Sequence, residues 1–393
     1  MDRFSSKEKE YVLEVLDNSF RNSKNSIFNS RLEKKFAEIF KSNFAIGIMN
    51  GTCTMHAALH ALGVLPGDEV IVPPLTMSAP ALAVLHNGSI PVFADVDPQT
   101  FTISAESIKK CITKKTKAVI TVSLYGLAPD YDAILKVCKE HQLPLIEDNA
   151  ECFLGKYKGK LVGEYGDFSS YSFQASKHMT SGEGGMLTTN NEQWADKVRK
   201  FTSLGYAGVS SKQGKISRLD IQDPAYSRHV TLGFNFRMSE LQAACALGQL
   251  ERLEELVNAR IRSAEIFDKV VLNSGILRRQ EQPPEYVNSY WAYACVLETT
   301  NPEKDWYIFR DIFQKNGGDG YYAAWKLSYM EPLFQGEIAA MPGVWQKYQA
   351  GLCPQAEYLQ SRMIQFKTDY WDEAEAVKQA EILKKTIAEF KSR

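Results

Sequence analysis

Three short stretches of the sequence carry side chains whose types and spacing could do chemistry. The first is Ser172-Phe173-Gln174-Ala175-Ser176-Lys177-His178, followed by Met179-Thr180-Ser181-Gly182-Glu183-Gly184-Gly185. A lysine seen alone is usually a solvated surface residue. Here small residues flank it and a glycine-rich turn follows, a setting that can aim the side chain inward and let a flat molecule approach the backbone. Its amine could then act as a Schiff-base nucleophile. The second stretch, Ile146-Glu147-Asp148-Asn149-Ala150-Glu151, is an apolar strand that ends in carboxylates. Asp148 is either a helix cap or a charge partner for a ligand. The third, Asn50-Gly51-Thr52-Cys53-Thr54, opens a helical pattern. It reads as an ordinary N-cap or as a phosphate cradle, because free amides at a helix N-terminus favour anions, Gly51 permits close approach and the Thr52 hydroxyl adds a donor. Together the three offer an amine nucleophile, a carboxylate and an anion cradle.

The elements that must position them are legible from periodicity. Met55, Ala58, Leu59 and Leu62 fall at i, i+3, i+4 and i+7, which predicts a helix that Gly63 can close in a left-handed conformation. Residues 70–72, 91–95, 118–122 and 144–148 read as short buried strands, and Tyr131, Ile134, Leu135 and Cys138 mark a second helix face. Alternation of this kind predicts βαβ units and a mostly parallel sheet covered on both faces, with functional groups at the carboxyl ends of its strands. Residues 206–230 are polar and predict a long loop of the kind that is often functional. Ser239 and Gln242 make a capping box, after which Leu250, Leu253, Val257 and Ile261 predict one long helix leading to a C-terminal domain. A final helix is expected from Asp372, with Ala376, Ala380, Leu383, Ile387 and Phe390 on one face.

Composition narrows the function classes. The 393 residues suffice for two domains, and an apolar content of 44% allows a sizeable core. Lys plus Arg number 46 against 47 Asp plus Glu, which argues against a nucleic-acid partner bound by bulk positive charge. No run approaches the roughly eighteen apolar residues that span a bilayer, and the charged N-terminus lacks the apolar stretch of a secretory signal. A cytoplasmic protein without membrane partners is expected. The seven cysteines are scattered, with no C-x-x-C pair, and the histidines suggest no ligand spacing, so neither a disulfide framework nor a metal site is expected.

An amine, a carboxylate for a ring nitrogen and a phosphate cradle are what pyridoxal phosphate requires. The segments NGTCTMHAALHALGVLPGDEVIVPP, PVFADVDPQTF, LIEDNAE, DFSSYSFQASKHMTSGEGGM and LGFNFRMSELQAACALGQL, spread from Asn50 to Gln249, resemble in order and spacing the DegT/DnrJ/EryC1/StrS sugar aminotransferases. The resemblance implies the α/β architecture of fold type I. A large cofactor domain (1–250) would carry a mostly parallel seven-stranded sheet flanked by helices, and a smaller α+β domain (251–393) would follow. It implies that Lys177 holds the cofactor as a Schiff base and that Asp148 pairs with the pyridine nitrogen. Ser172 would bind the phosphate with Gly51 and Thr52, and Cys53 would lie against it. Asn235, in Gly233-Phe234-Asn235-Phe236-Arg237, resembles the asparagine that reaches a neighbouring subunit's phosphate, which implies a homodimer with shared active sites.

Two positions depart from the family's commonest pattern. Glu151 stands where glutamine often meets the cofactor's phenolic oxygen, and Met77 stands where an aromatic ring usually stacks; a thioether can still cover a ring face. His178 is either a substrate contact or part of the wall, and Tyr322 and Trp325, in the segment 317–325, are expected with loop 206–230 to shape the acceptor site. The implied reaction moves an amino group from L-glutamate or L-glutamine to a keto-sugar by a ping-pong route. Within the family the chain is also similar to transaminases that aminate an oxidised octulosonate for lipopolysaccharide. Three rivals stand beside this reading. A related dehydratase would carry histidine at the position of Lys177. A cofactor-free lysine aldolase would not need Asp148 beside the phosphate cradle. A non-catalytic regulatory relative would not need the Lys177–Asp148 pair.

Overall fold

The computed structural model describes residues 2–18, 27–212 and 217–393. Helices α1 (Ser6–Asp17) and α2 (Ile27–Ile39) precede the first strand, β1 (Phe44–Ile48). Then α3 (Gly51–Leu62), β2 (Glu69–Val72), α4 (Ala79–His86), β3 (Ile90–Phe93), α5 (Ala105–Cys111), β4 (Thr116–Val122), α6 (Tyr131–His141) and β5 (Leu145–Asp148) alternate as the periodicity predicts. A short hairpin, β6 (Lys156–Tyr157) and β7 (Lys160–Leu161), leads to β8 (Phe168–Ser172) and β9 (Gly185–Thr189). The main sheet has seven strands in the order β1-β9-β8-β5-β4-β2-β3. Only β9 runs against the others. Strands β2, β3, β5 and β8 are buried along their whole length, which is why β2 and β3 read as short apolar runs without alternation, while β5 and β8 bury carboxylates and serines as well.

Helix α3 is built as its residues dictate. The Asn50 side chain caps it by accepting from the Cys53 amide, Met55, Ala58 and Leu59 are buried, and Gly63 ends it at φ 79°. After α7 (Glu192–Thr202), the predicted loop 206–230 carries a short helix, α8 (Arg218–Gln222), and is closed at its base by a bridge between Tyr206 and His229. Residues 213–216 of that loop lie outside the described residues.

The long helix expected from Ser239 onward is two helices. The capping box starts α9 (Glu240–Leu250), which stops at a turn through Glu251 and Arg252 before α10 (Leu253–Val271). Lys7 and Tyr11 of α1 hold the Glu251 carboxylate, and Arg252 donates to the Asp2 carbonyl and to Glu255. The turn is thereby tied to the N-terminus. Leu250, Leu253 and Val257 stay buried on both sides of it, so the apolar period runs through a break that it cannot reveal.

Beyond α10, β10 (Leu277–Arg279) leads to β11 (Tyr286–Val287), which pairs with β6 rather than with its own neighbours. The strand β12 (Ala292–Leu297) lies between β10 and β13 (Met363–Lys367) in an antiparallel sheet, with α11 (Pro302–Lys315), α12 (Pro354–Gln360) and α13 (Glu373–Lys391) in the same region. Asp372 caps α13, as its sequence predicts. Residues 324–359 return to the large sheet. Gln346 brackets the Phe93 backbone at 2.7 and 2.9 Å, and the Tyr348 hydroxyl donates to the Pro91 carbonyl at 2.6 Å. One apolar core therefore joins the two parts of the chain.

Candidate active site

The carboxyl ends of β1, β5 and β8 meet the start of β9, and the three chemistry-bearing stretches lie there. Asp148 ends β5 and is only 4% exposed. A turn follows it, so it caps no helix; its carboxylate accepts from the Ala150 amide at 3.1 Å. Burial pushes its carboxyl up from an ordinary 3.8 to about 7, against the pull of the Ala150 amide and the Lys177 charge, while Glu151 adds to the rise. Such a group is suited to a cationic N–H partner.

Ser172 ends β8, and Gly185 opens β9 opposite it. A Cβ built on Gly185 would stand 2.7 Å from the Asn50 carbonyl carbon, and one on Gly51 would stand 3.0 Å from Ser172 Cβ. Glycine at 185 is required for the first turn of α3 to dock on the strand ends, and glycine at 51 keeps that contact unstrained. Asn50 Oδ1 takes the Cys53 amide at 2.8 Å, which leaves the amides of Gly51 and Thr52 at the positive end of the helix. Such a helix start, with the Ser172 side chain against it, has the geometry that suits an anion.

Lys177 follows on the loop after β8. Its Nζ lies 3.2 Å from Glu151 Oε1 and 4.2 Å from the centre of the Trp291 ring. The second oxygen of Glu151 accepts from the Tyr125 amide at 3.1 Å. The carboxylate that departs from the family pattern therefore has two donors. Pyridoxal phosphate fits these groups: the amine answers its carbonyl, the buried Asp148 carboxyl its ring nitrogen, and the glycine-lined helix start its phosphate.

The sequence profile of the DegT/DnrJ/EryC1/StrS aminotransferase family matches residues 3–369. The chain belongs to that family. It is a pyridoxal-phosphate-dependent sugar aminotransferase. It is 36% identical over 299 residues to the GDP-perosamine synthase of Escherichia coli O157:H7, covering 76% of this chain and 77% of that protein. It is 39% identical over 274 residues to the GDP-perosamine synthase of Caulobacter vibrioides, covering 70% and 69%. Among solved structures, an aminotransferase from Psychrobacter cryohalolentis superposes with a TM-score of 0.86 at 28% identity, over 99% of this chain and 98% of that one.

The other expected site residues of the aminotransferase are placed as follows. Met77 is half exposed just before α4, with its sulfur accepting the Ala79 amide at 3.1 Å. Cys53 is partly buried in the first turn of α3, and burial pushes its thiol up. Trp325 is partly buried and stacks on Trp291, ring centres 5.8 Å apart. Tyr322 is exposed and pairs with Gln365 through its backbone. Asn235 is exposed, on a strip bridged to Ser203. His178 is fully buried, with Nε2 2.9 Å from the Ser289 carbonyl, and burial with the nearby Arg260 charge holds its pKa well below the usual value. Its surroundings are those of a packed, hydrogen-bonded ring.

One histidine pair was passed over in the sequence. His56 and His60 stand four apart on α3, a spacing that zinc sites use. Their rings pack instead on Phe201, at 5.0 and 4.1 Å, and burial takes His56 down to about 4. Among the described residues no group of three His, Cys, Asp or Glu is placed to hold a metal. The residues that sequence reasoning missed are Tyr125, Arg260 and Trp291. No motif spacing ties them to Lys177; only the aromatic pair Tyr290-Trp291 ahead of the apolar stretch 292–297 could have drawn notice.

Proposed function

We propose that the enzyme transfers an amino group from L-glutamate or L-glutamine to the keto carbon of a nucleotide-linked sugar, making an amino-sugar for a surface polysaccharide. The observation that carries the acceptor class is the match to two GDP-perosamine synthases along more than two thirds of their lengths. When bound, the cofactor supplies an electron sink for the carbanion at the donor's α-carbon. With the cofactor bound, Lys177 Nζ would take the proton from that α-carbon and pass it to the cofactor, and in the second half-reaction it would move one back to the acceptor's carbon. Asp148 would hold the ring nitrogen in its protonated form. The first turn of α3 and Ser172 would hold the phosphate. Donor and acceptor use one lysine in turn, so double-reciprocal plots against the two substrates should be parallel; intersecting lines would overturn the scheme.

The acceptor is tested by product analysis with a panel of nucleoside-diphosphate keto-hexoses and an oxidised octulosonate. Amination within the first group is expected. The octulosonate has no comparable support among the relatives described, and turnover of it alone would replace this reading. The free state of all seven cysteines suits a cytoplasmic setting. Among the described residues no helix is long and apolar enough to cross a membrane.

The working unit is proposed to be a homodimer with shared sites. Val230, Leu232 and Phe234 are exposed apolar residues on the strip that carries Asn235, and Leu232 is 73% exposed. Leu232→Asp should convert a dimer to a monomer in sedimentation velocity and lower cofactor affinity with it. A wild-type monomer with full activity would exclude sharing.

A further inference from the structure

The structure holds the unbonded amine of Lys177 in a way that donor and acceptor chemistry do not by themselves require. Nζ contacts the Glu151 carboxylate and lies over the Trp291 ring. Both partners are themselves fixed. Glu151 is 4% exposed on its side chain and is gripped by the Tyr125 amide. Tyr125 holds a left-handed φ of 60°, a conformation that a bulky residue adopts only when its surroundings impose it. The Trp291 ring lies 8° from parallel to Tyr125 and 13° from parallel to Trp325. Its Nε1 donates to the Ser176 carbonyl at 3.0 Å.

Arg260 staples these pieces together. Its guanidinium is buried and donates to the Trp291 carbonyl at 2.9 Å, the Thr368 hydroxyl at 3.1 Å, the Ser176 carbonyl at 2.8 Å and the Lys177 carbonyl at 3.3 Å. All four acceptors are neutral, and the Asp369 charge and the Trp371 ring lie near the guanidinium. Burying the charge costs solvation that these contacts only partly return. What it fixes is the position of the Trp291 backbone relative to the lysine backbone.

The geometry points to a resting cradle: the Glu151 carboxylate and the Trp291 ring hold the ε-amine of Lys177 whenever it is not bonded to the cofactor, and Trp291 is a positioning residue for that lysine. An aromatic face and a carboxylate both favour an ammonium. Between the two half-reactions the cradle keeps Nζ beside the Glu151 carboxylate and the Trp291 face. The acceptor sugar then enters beside a lysine in one place. No bond is made or broken in the cradle. The inference rests on pyridoxal-phosphate dependence and is independent of which sugar is the acceptor.

The test uses the full chain loaded with pyridoxamine phosphate, in which Lys177 is unbonded whatever the amino donor. Methyl acetimidate, a small reagent for unprotonated amines, is applied at one fixed pH, and the rate at Lys177 is read by mass spectrometry with the other lysines as internal reference. Trp291→Leu should raise that rate roughly fivefold, the factor expected from losing one partly solvated cation–π contact. Glu151→Gln should raise it as well. Trp291→Phe, which keeps an aromatic face, should stay within about twofold of the wild type. A wild-type rate in Trp291→Leu would overturn the cradle. So would equal rates in the Leu and Phe variants, or a general rise across other lysines, since either marks a merely structural role. The cofactor-free chain should give the same ranking, and the cofactor's absorbance before labelling separates a failure of cofactor binding from a failure of the cradle.

Discussion

Lys177→Ala and Lys177→Arg should both slow turnover by at least about 10⁴-fold, the combined cost of losing a covalent nucleophile and a general base. The two variants separate chemistry from charge. Alanine removes a partly buried cation and leaves Glu151 with the Tyr125 amide as its donor, a loss of roughly 1–3 kcal/mol in stability. Arginine keeps a cation for Glu151 and for the Trp291 face, yet it stays protonated and can neither form the Schiff base nor take a proton from carbon. It should unfold close to the wild type in a thermal melt. Both variants should lose the visible absorption of the lysine-bound cofactor, and borohydride should no longer fix the cofactor's mass to the chain. Turnover in Lys177→Arg at a tenth of the wild-type rate or more would remove Lys177 from the chemistry.

The chemistry of this enzyme was more legible in its sequence than the enclosure around it. Lys177, Asp148 and the Gly51–Thr52 turn announce themselves because each belongs to a short local pattern: a lysine before glycines, an apolar strand ending in carboxylates, a small-residue helix start. The strands from β2 to β5 were legible for a related reason, since burial on both faces leaves an uninterrupted apolar run. What escaped depends on distant chain segments. Trp291 and Arg260 reach Lys177 only because α10 and β12 fold back on the loop after β8. The break between α9 and α10 escaped because a two-residue turn kept the apolar period intact. The His56–His60 pair shows the opposite hazard: a spacing suited to metal can serve aromatic packing when three phenylalanines lie within ring contact of it.

Asp148→Asn should act on stability and on catalysis in opposite directions. The carboxyl titrates near 3.8 in the unfolded chain and near 7 in the fold, chiefly because burial disfavours its charge. Below about pH 4 it is protonated in both states, and its full contribution to stability is present. As the pH rises, the unfolded chain releases the proton first. Stability is lost progressively until the folded group also ionises near pH 7, and the loss is constant above that. In the cofactor-free enzyme the accumulated loss is on the order of 4 kcal/mol. Asparagine has no such titration. Without cofactor, the variant should match the wild type near pH 4 and melt at a higher temperature at pH 8. The catalytic consequence has the other sign. In the proposed function the buried carboxylate would hold a proton on the cofactor's ring nitrogen, and removing one preorganised charge of this kind should lower kcat by about 10²–10³-fold. Saturating cofactor should not restore it, since the loss lies in the reacting electrons and not in occupancy. Equal melting curves for the two proteins across pH 4–8 would mean that the strand end is wetter than its burial implies. A catalytically normal Asp148→Asn would assign the ring nitrogen to another group. The same dehydrated pocket that weakens the empty protein is what makes its carboxylate effective once a cationic ring nitrogen lies beside it.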